Sequence, residues 1–429
     1  MDNLRLYMVT WNVATRQPGE DLNELLGLVQ QTVPEKLPDF YIIGLQEVKA
    51  QPQNIVLDAV FDSSWTSAFR EVLAAQNYVK VKTIRLQGLL LSLFCLHKHL
   101  LHLRDVETQY TKTGFGGMWG NKGAVSIRLS IYGCSLCFVN CHLTPHDGLY
   151  QERITDYNTI IRNHAYQNKE TSNILFHDYV FWIGDLNFRL MDSYSAEEIN
   201  NLIKKGELTR LLEKDQLRYA MDRGEAFSEL SEETPNFPPT YKFQFNSSLY
   251  DLKRRPSWTD RVLYKVNAHV YENLTLRAEQ LFYKSFDSYV LSDHKPVVAE
   301  FNIKVFSDYY DRVVEFEPVN TWYLEEENSA SYSLAGDVEP TYWDWIGIYK
   351  DGFTSLDDYL SYVYAPRATP GTANRSETRR VTFPDTALRA PGRYCLLYFS
   401  HNSGSVLGMS NPFDVLCRDN GQIIHFSDL

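Results

Sequence analysis

Several strand-length apolar runs in the first three hundred residues end in a polar residue capable of chemistry. Leu4 to Asn12 ends in an amide, Phe40 to Gln46 runs into Glu47, Ser135 to His142 ends in an imidazole, and Tyr179 to Gly184 runs into Asp185. Folding needs no such groups at strand ends, whereas function commonly sits on loops and strand ends held by a rigid scaffold. Asn12, Glu47, His142 and Asp185 are therefore expected to converge on one cleft.

Further strands are expected at Gly88 to Phe94, Ala124 to Leu129, Asp260 to Tyr264 and Val297 to Ile303. Helical patterns cover Leu22 to Val33, Ser64 to Leu73, Leu149 to His164, Ala196 to Lys205 and Asp215 to Asp222. Many strands and few helices favour two packed sheets with helices outside, an α+β or α/β sandwich. After Val305 the pattern changes to short aromatic-rich strands with turn residues between them: Ser329 to Leu334, Trp345 to Lys350, Tyr359 to Val363, Thr378 to Phe383, Arg393 to Phe399 and Pro412 to Leu416. This spacing is that of an all-β immunoglobulin-like sandwich. Alternation at Tyr394, Leu396 and Tyr398 assigns those aromatics to its core, and Ala365 to Glu377 is expected to be a long loop. The division is 1–305, 306–418 and a tail at 419–429; 429 residues exceed what one core usually serves.

A formal charge of -12 argues against a general nucleic-acid binder, so any polyanionic substrate must meet a local basic cluster. The six cysteines lie mostly inside apolar runs, which fits a reduced compartment. Cys134, Cys137 and Cys141 fall in one expected strand, whose alternation separates the sulfurs across two faces and disfavours zinc. The N-terminal run alternates as a strand rather than as a signal peptide.

Glu47 follows a buried strand, and magnesium takes one or two carboxylates plus water and substrate phosphate; Asn12 offers a neutral oxygen beside it. Asp185 and Asn187 alternate onto one face, where a carboxylate can orient or deprotonate water and an amide can hold it. Taken alone, Gly-Asp-x-Asn is equally a turn composition. His142 and His294 suit contact with a phosphate, with Asp260 fixing the His294 ring, and Asp293 directly precedes that histidine. Lys242, Lys253, Arg254, Arg255 and Arg261 fall within twenty positions of one another, with Tyr241 as a hydroxyl donor and Asn121 and Lys122 as a glycine-flanked pair. A charge run is usually a solvated face. Its place among catalytic candidates in an acidic chain favours recognition of several phosphates.

Trp11-Asn12, Gln46-Glu47, Trp119 to Gly123, Asn140 to Leu143, Gly184 to Arg189, Pro239 to Lys242, Pro256 to Arg261 and Ser292 to Pro296 resemble, in order, motifs of the inositol polyphosphate 5-phosphatases. Trp343 to Lys350 and Tyr359 to Val363 resemble a SKICH domain. The resemblance implies a four-layer α/β sandwich like deoxyribonuclease I and the endonuclease-exonuclease-phosphatase fold. It implies magnesium-dependent removal of the 5-phosphate from phosphatidylinositol 4,5-bisphosphate, phosphatidylinositol 3,4,5-trisphosphate and soluble inositol polyphosphates. Glu47 and Asn12 would hold magnesium, Asp185 would activate a water positioned by Asn187, and His142 and His294, with Asp260 and Asp293, would serve the scissile phosphate. Asn121, Lys122, Arg189, Tyr241, Lys242, Lys253, Arg254 and Arg261 would bind substrate; Leu252 stands where many members carry lysine. The family also implies a cytoplasmic protein peripherally recruited, through a protein partner of the second domain, to plasma membrane or endoplasmic reticulum. Apolar segments at Leu57 to Phe61 and Leu149-Tyr150 are candidates for lipid contact.

A nuclease of the same fold is the nearest alternative, and the Tyr241-Lys242 and Arg254-to-Arg261 elements, with the acidic surface, argue against it. An inactive membrane-recruited scaffold is disfavoured because every catalytic candidate is present.

Overall fold

The computed structural model describes residues 3–29, 37–49, 63–113, 122–191, 194–268, 270–271, 274–306, 313–334, 340–366, 378–419 and 422–423. Strands β1 (Asn3–Asn12), β2 (Phe40–Gln46), β3 (Tyr78–Leu86) and β4 (Leu89–Leu96) belong to one sheet, and β5 (Leu103–Lys112), β6 (Gly123–Ile131), β7 (Cys134–His142), β8 (Tyr179–Asp185) and β9 (Asp260–Val266) form a second. A two-strand ladder, β10 (Val270–Tyr271) and β11 (Leu274–Thr275), precedes β12 (Ala278–Ser285) and β13 (Val297–Lys304), which complete the first sheet in the order β12-β13-β1-β2-β4-β3. The second runs β5-β6-β7-β8-β9.

Strand alternation builds the layers. Leu4, Leu6 and Met8 of β1 face Phe138 of β7 and Phe181 and Ile183 of β8 in one buried cluster between the sheets. The opposite parity, Tyr7, Val9 and Trp11, packs under α1 (Leu22–Leu25) and α2 (Ser64–Ala74). On the far side Val139, Val180 and Trp182 pack under α3 (Tyr150–Asn163) and, after α4 (Ala196–Lys204) and α5 (Leu208–Leu212), α6 (Gln216–Asp222). Helices thus cover both outer faces, giving the expected four layers.

The expected helix from Leu22 to Val33 is corrected: α1 ends at Leu25, because Gly27 takes φ +70 and the chain turns there. The end of that expected helix, like Asn121 and the Leu57 to Phe61 segment, lies outside the described residues. Strands β3, β5 and β12 were not expected; each is an outer or near-edge strand whose charged residues break the apolar pattern. Cys134 falls in the cluster between the sheets and Cys137 and Cys141 in the cluster under α3, as alternation requires. All six cysteines are free.

The C-terminal part has two sheets around a common core that includes Tyr394, Leu396 and Tyr398. One contains β14 (Val314–Phe316), β16 (Asn328–Leu334) and β19 (Arg379–Phe383); the other contains β15 (Trp322–Tyr323), β17 (Trp345–Lys350), β18 (Ser361–Tyr364), β20 (Gly392–Ser400), β21 (Ser405–Met409) and β22 (Phe413–Leu416). Beyond residue 366 the expected loop up to 377 lies outside the described residues. Arg418–Asp419 pairs with Gln422–Ile423, so a small ladder spans the start of the expected tail.

This second part clamps the edge strands of both N-terminal sheets. At β3, Lys80 gives its amide to Thr354 O (2.9 Å) and its carbonyl accepts from Leu356 N (3.0 Å), where β3 bulges away from β4. At β5, Val106 N donates to Ser403 O (3.1 Å), again at a bulge. Edge strands expose unpaired backbone groups, and covering them satisfies those groups. Tyr349, Phe353, Leu356, Leu397 and Val406 extend the core between the sheets into the second part. Gly404, at φ +56, lies where a Cβ would sit 2.5 Å from Val106 O. Gly404→Ala is expected to lower stability by ~1–3 kcal/mol, measured by urea unfolding of the whole chain; unchanged stability would show that this contact is not tight.

Candidate active site

The registers of β7, β8 and β9 set His142 beside Asp185 and Asp185 beside Asp260 in one transverse row. All three belong to the inward-facing parity of their strands, so the row closes the end of the apolar layer between the sheets. Across the gap Asn12, at the end of β1, donates from Nδ2 to Asp185 Oδ2 at 3.0 Å. Below this contact lies a polar bridge that the sequence reading did not assign: Gln46 Nε2 donates to Asn140 Oδ1 at 2.6 Å, and Asn140 Nδ2 donates to Leu45 O and Leu90 O. Gly44 permits the close approach, since a Cβ there would lie 2.6 Å from Ile183 Cδ1 and 2.9 Å from Asn140 Cγ.

Asp185 is 1% exposed. Its Oδ2 lies 3.2 Å from His142 Nε2 and 3.9 Å from His294 Nε2, and its Oδ1 accepts from Asn187 N at 3.1 Å. Burial alone would raise its pKa, but His142, His294 and Lys122 outweigh burial and hold the carboxyl far below the usual range. Lys122 Nζ sits 2.6 Å from His142 Nε2. Burial and the Lys122 charge push the pKa of His142 down.

His294 behaves oppositely. Its Nδ1 is 2.9 Å from Asp260 Oδ2, which also accepts from Thr240 Oγ1 (2.7 Å) and Thr259 Oγ1 (2.9 Å). Burial lowers its pKa, but Asp260, then Asp185 and Asp293, reverse that and raise it to about 9. The His294 loop is fixed by Trp11 Nε1, which donates to His294 O at 3.1 Å, and by Ser292 Oγ, which donates to Asn12 O at 2.6 Å. The two threonines lie within motifs already noted, but only the fold shows their contact with Asp260.

Asn187 adopts φ 56 and Glu47 φ 55, left-handed conformations that side chains rarely take and that recur at functional sites. Asn187 Nδ2 donates to Leu143 O at 3.0 Å. Arg189 Nη2 donates to Asn187 Oδ1 at 2.6 Å, and its guanidinium stacks 4.4 Å over the Tyr241 ring, which in turn lies 4.6 Å from the His294 ring. Arg189, expected against substrate, is thus buried as a brace for Asn187 and Tyr241.

Arg261 is also corrected. One position along β9 from Asp260, it points to the other face, where Nη1 meets Asp215 Oδ2 at 2.6 Å and Nε donates to Glu232 Oε1 at 2.6 Å. A fully buried guanidinium needs such partners, so Arg261 ties the scaffold and does not line the cleft. Arg255 pairs with Asp147, and Lys295 donates to two backbone carbonyls. Among the described residues of this basic run, Lys242 lies 3.4 Å from Asp293 Oδ2, and Lys253 and Arg254 are exposed on the segment that follows it.

Two donor sets are candidates for a cation. Asp185, Asp260 and His294 bring ligand atoms within 4.8 Å of one another, but these groups are already committed to His142, Asn12, Thr240, Thr259 and each other. Glu47 fits better: among the described residues its exposed carboxylate makes no hydrogen bond or ion pair, and Asn12 stands at the neighbouring strand end, its Oδ1 accepting only from Ala14 N. Oxygen donors of this kind suit a hard divalent ion.

The family model for Endonuclease/Exonuclease/phosphatase family 2 matches residues 9–300, and that for the SKICH domain matches 314–415. The chain is 38% identical over 423 residues to phosphatidylinositol 4,5-bisphosphate 5-phosphatase A of Homo sapiens, covering 96% of this chain and 41% of that protein. It is 34% identical over 434 residues to inositol polyphosphate 5-phosphatase K of Mus musculus, covering 97% and 90%. The chain therefore spans about two fifths of the first relative's length and most of the second's. The inositol polyphosphate 5-phosphatase domain of SPsynaptojanin, solved with inositol (1,4)-bisphosphate and calcium ion, superposes with a TM-score of 0.60 at 32% identity over 71% of this chain and 86% of that one. A Cimex nitrophorin ferrous NO complex superposes with a TM-score of 0.57 at 26% identity over 71% and 99%.

The fold and its row of acids and histidines define the endonuclease, exonuclease and phosphatase class of hydrolases. Within that class, the chain belongs to the inositol polyphosphate 5-phosphatases and carries a SKICH domain.

For His294, a folded-state pKa raised to about 9 against an ordinary 6.5 means that the stability from its pairing is fully present below pH 6.5 and lost as pH rises through about 9. NMR titration of the His294 ring is expected to show that midpoint, and Asp260→Asn to lower it by ~1–3 pH units. A midpoint unmoved by the substitution would rule out control by Asp260.

Proposed function

We propose that this chain hydrolyses the 5-phosphate of phosphatidylinositol 4,5-bisphosphate, phosphatidylinositol 3,4,5-trisphosphate and soluble inositol polyphosphates. The observation that carries the reading is the 3.9 Å gap between the Asp185 carboxylate and the His294 imidazolium, in a cleft whose mouth bears Lys242, Lys253 and Arg254. An oxygen placed off the line joining the two groups reaches both at hydrogen-bond distance.

Water sits on the Asp185 side of that gap, with Asn187 fixing its approach, and the phosphate on the His294 side. The water oxygen bonds to phosphorus as the bond to the inositol 5-oxygen breaks, Asp185 receives the water proton, and the inositol oxygen takes a proton from solvent to leave as the free hydroxyl. Its neighbours keep Asp185 an anion and so able to accept the water proton. His294, held protonated and oriented by Asp260, donates to a non-bridging phosphate oxygen, while Lys122 and His142 add positive potential and a polar contact at the same phosphate. Glu47 and Asn12 would hold magnesium, which when bound would supply Lewis-acid neutralisation of phosphoryl charge. Tyr241, Lys242 and Arg254 receive the neighbouring 4-phosphate, with Lys253 beside them.

Several phosphates on one small ring explain why the cations cluster at one mouth while the whole chain carries -12. A duplex would need phosphate contacts spread along a surface. The second part serves as a recruiting module that brings a cytoplasmic enzyme to plasma membrane or endoplasmic reticulum. Exposed Tyr342, Trp343, Tyr359, Leu360, Tyr362 and Tyr364 support that role. Among the described residues no helix is long and apolar enough to cross a membrane.

Phosphate release from phosphatidylinositol 4,5-bisphosphate vesicles is expected to require magnesium and to fall ~10²–10⁴-fold in Asp185→Ala, with no plasmid nicking. Nicking without phosphate release would move the assignment to a nuclease. Lys242→Ala is expected to raise KM for a 4,5-bisphosphate several-fold more than it lowers kcat; a pure kcat loss would contradict a binding role.

A further inference from the structure

Between the substrate-binding pair Tyr241-Lys242 and the cations Lys253 and Arg254, the chain forms a hairpin whose tip the proposed chemistry does not use. Its base is rigid: Phe243 and Tyr250 stack at 4.3 Å, Tyr250 OH donates to Pro239 O at 2.7 Å, and Asp251 N donates to Lys242 O at 2.8 Å. Its tip is pinned as well, by Asn246 N to Val290 O (2.8 Å) and Gln244 N to Leu249 O (2.9 Å). Yet this ordered tip presents two large apolar side chains to solvent, Phe245 at 42% and Leu249 at 66% exposure. Isolated exposed apolar residues are common. Two on one pinned hairpin, rooted in the wall of the active site, require a further account.

The charges around them identify the partner. Residues 240–255 carry four cations and one acid in a chain of net charge -12. The exposed Arg16, from a separate loop, lays its guanidinium 4.4 Å over the Phe245 ring. An apolar tip with an exposed arginine stacked on it, on a hairpin followed directly by the exposed Lys253 and Arg254, matches the boundary of an anionic bilayer, where acyl chains meet phosphates. Phenylalanine and leucine are among the side chains that bury at that boundary.

Resting on the phosphoinositide reading above, we propose that the hairpin from Tyr241 to Tyr250 is a lipid-surface contact of the catalytic domain. Phe245 and Leu249 enter the headgroup boundary, Arg16 and Lys253 meet anionic headgroups beside them, and the cleft is thereby held against the membrane at the depth of its substrate. The hairpin then favours the lipid over the soluble form of the same headgroup.

The test compares full-length wild type with Phe245→Ser/Leu249→Ser, using three readouts. These are initial rates on phosphatidylinositol 4,5-bisphosphate vesicles, initial rates on soluble inositol 1,4,5-trisphosphate, and co-sedimentation with phosphatidylcholine/phosphatidylserine vesicles lacking substrate. The expected result is a tenfold or greater fall in the vesicle rate, a matching loss of co-sedimentation, and a soluble rate within twofold of wild type. The exchange Phe245→Leu/Leu249→Phe, which keeps the apolar pair, is expected to retain both vesicle readouts. Equal losses on both substrates would overturn the proposal by showing that the tip supports the headgroup site itself. Unchanged co-sedimentation would overturn it in favour of a protein partner for the tip. If wild type hydrolyses neither substrate, the function proposed above fails, and the substrate-free co-sedimentation still decides the hairpin.

Discussion

Asp185 is a carboxylate sealed between two sheets, and the rest of the catalytic architecture keeps it an anion there. Burial opposes that charge, and a buried carboxylate without partners would take up a proton instead. Asn12 from the facing sheet, His142 from the adjacent strand, the Asn187 backbone amide and the nearby His294 supply what water would otherwise give. The arrangement depends on strand register. A slip of one residue in β8 would send Asp185 to the helix-covered face and bring Gly184 to the row.

The spacing between sheets is controlled just below. Gln46 and Asn140 form a polar rung between the layers, and Gly44 leaves room for it. Removing one member of that rung would leave a buried amide without its partner, which costs more than the hydrogen bond itself is worth. The stack of Arg189, Tyr241 and His294 performs a similar service at the side, joining the loop after β8 to the loop before β13. At the far edges, the second sandwich caps β3 and β5, so the sheets that align the site are also bound to the module proposed to recruit it.

Much of this was legible because inward parity runs unbroken from apolar residues into functional ones: Met8 leads to Asn12, Phe181 and Ile183 to Asp185, Phe138 and Asn140 to His142. The same alternation separates Arg261 from Asp260, and a count of nearby cations alone missed it. Arg189 was misplaced for another reason: its buried partners come from a turn whose left-handed residue, Asn187, gives no signal in composition. Strands β3, β5 and β12 escaped because their charged residues hide the strand period. The clamp at Lys80 and Val106 joins residues about three hundred positions apart through backbone atoms, which no local pattern encodes.

A nitrophorin shares this fold, so architecture alone does not decide the chemistry, and the proposed function rests on the charged row at the strand ends. The central claim is that Asp185 acts on water and forms no covalent bond to phosphorus. The stereochemistry at phosphorus tests it most directly. A substrate bearing a chiral oxygen-18 thiophosphate at the 5-position is hydrolysed in oxygen-17 water, and the configuration of the released thiophosphate is determined. Inversion is the result that a single in-line attack by water predicts. Retention would require a phosphorylated enzyme intermediate and would contradict the account.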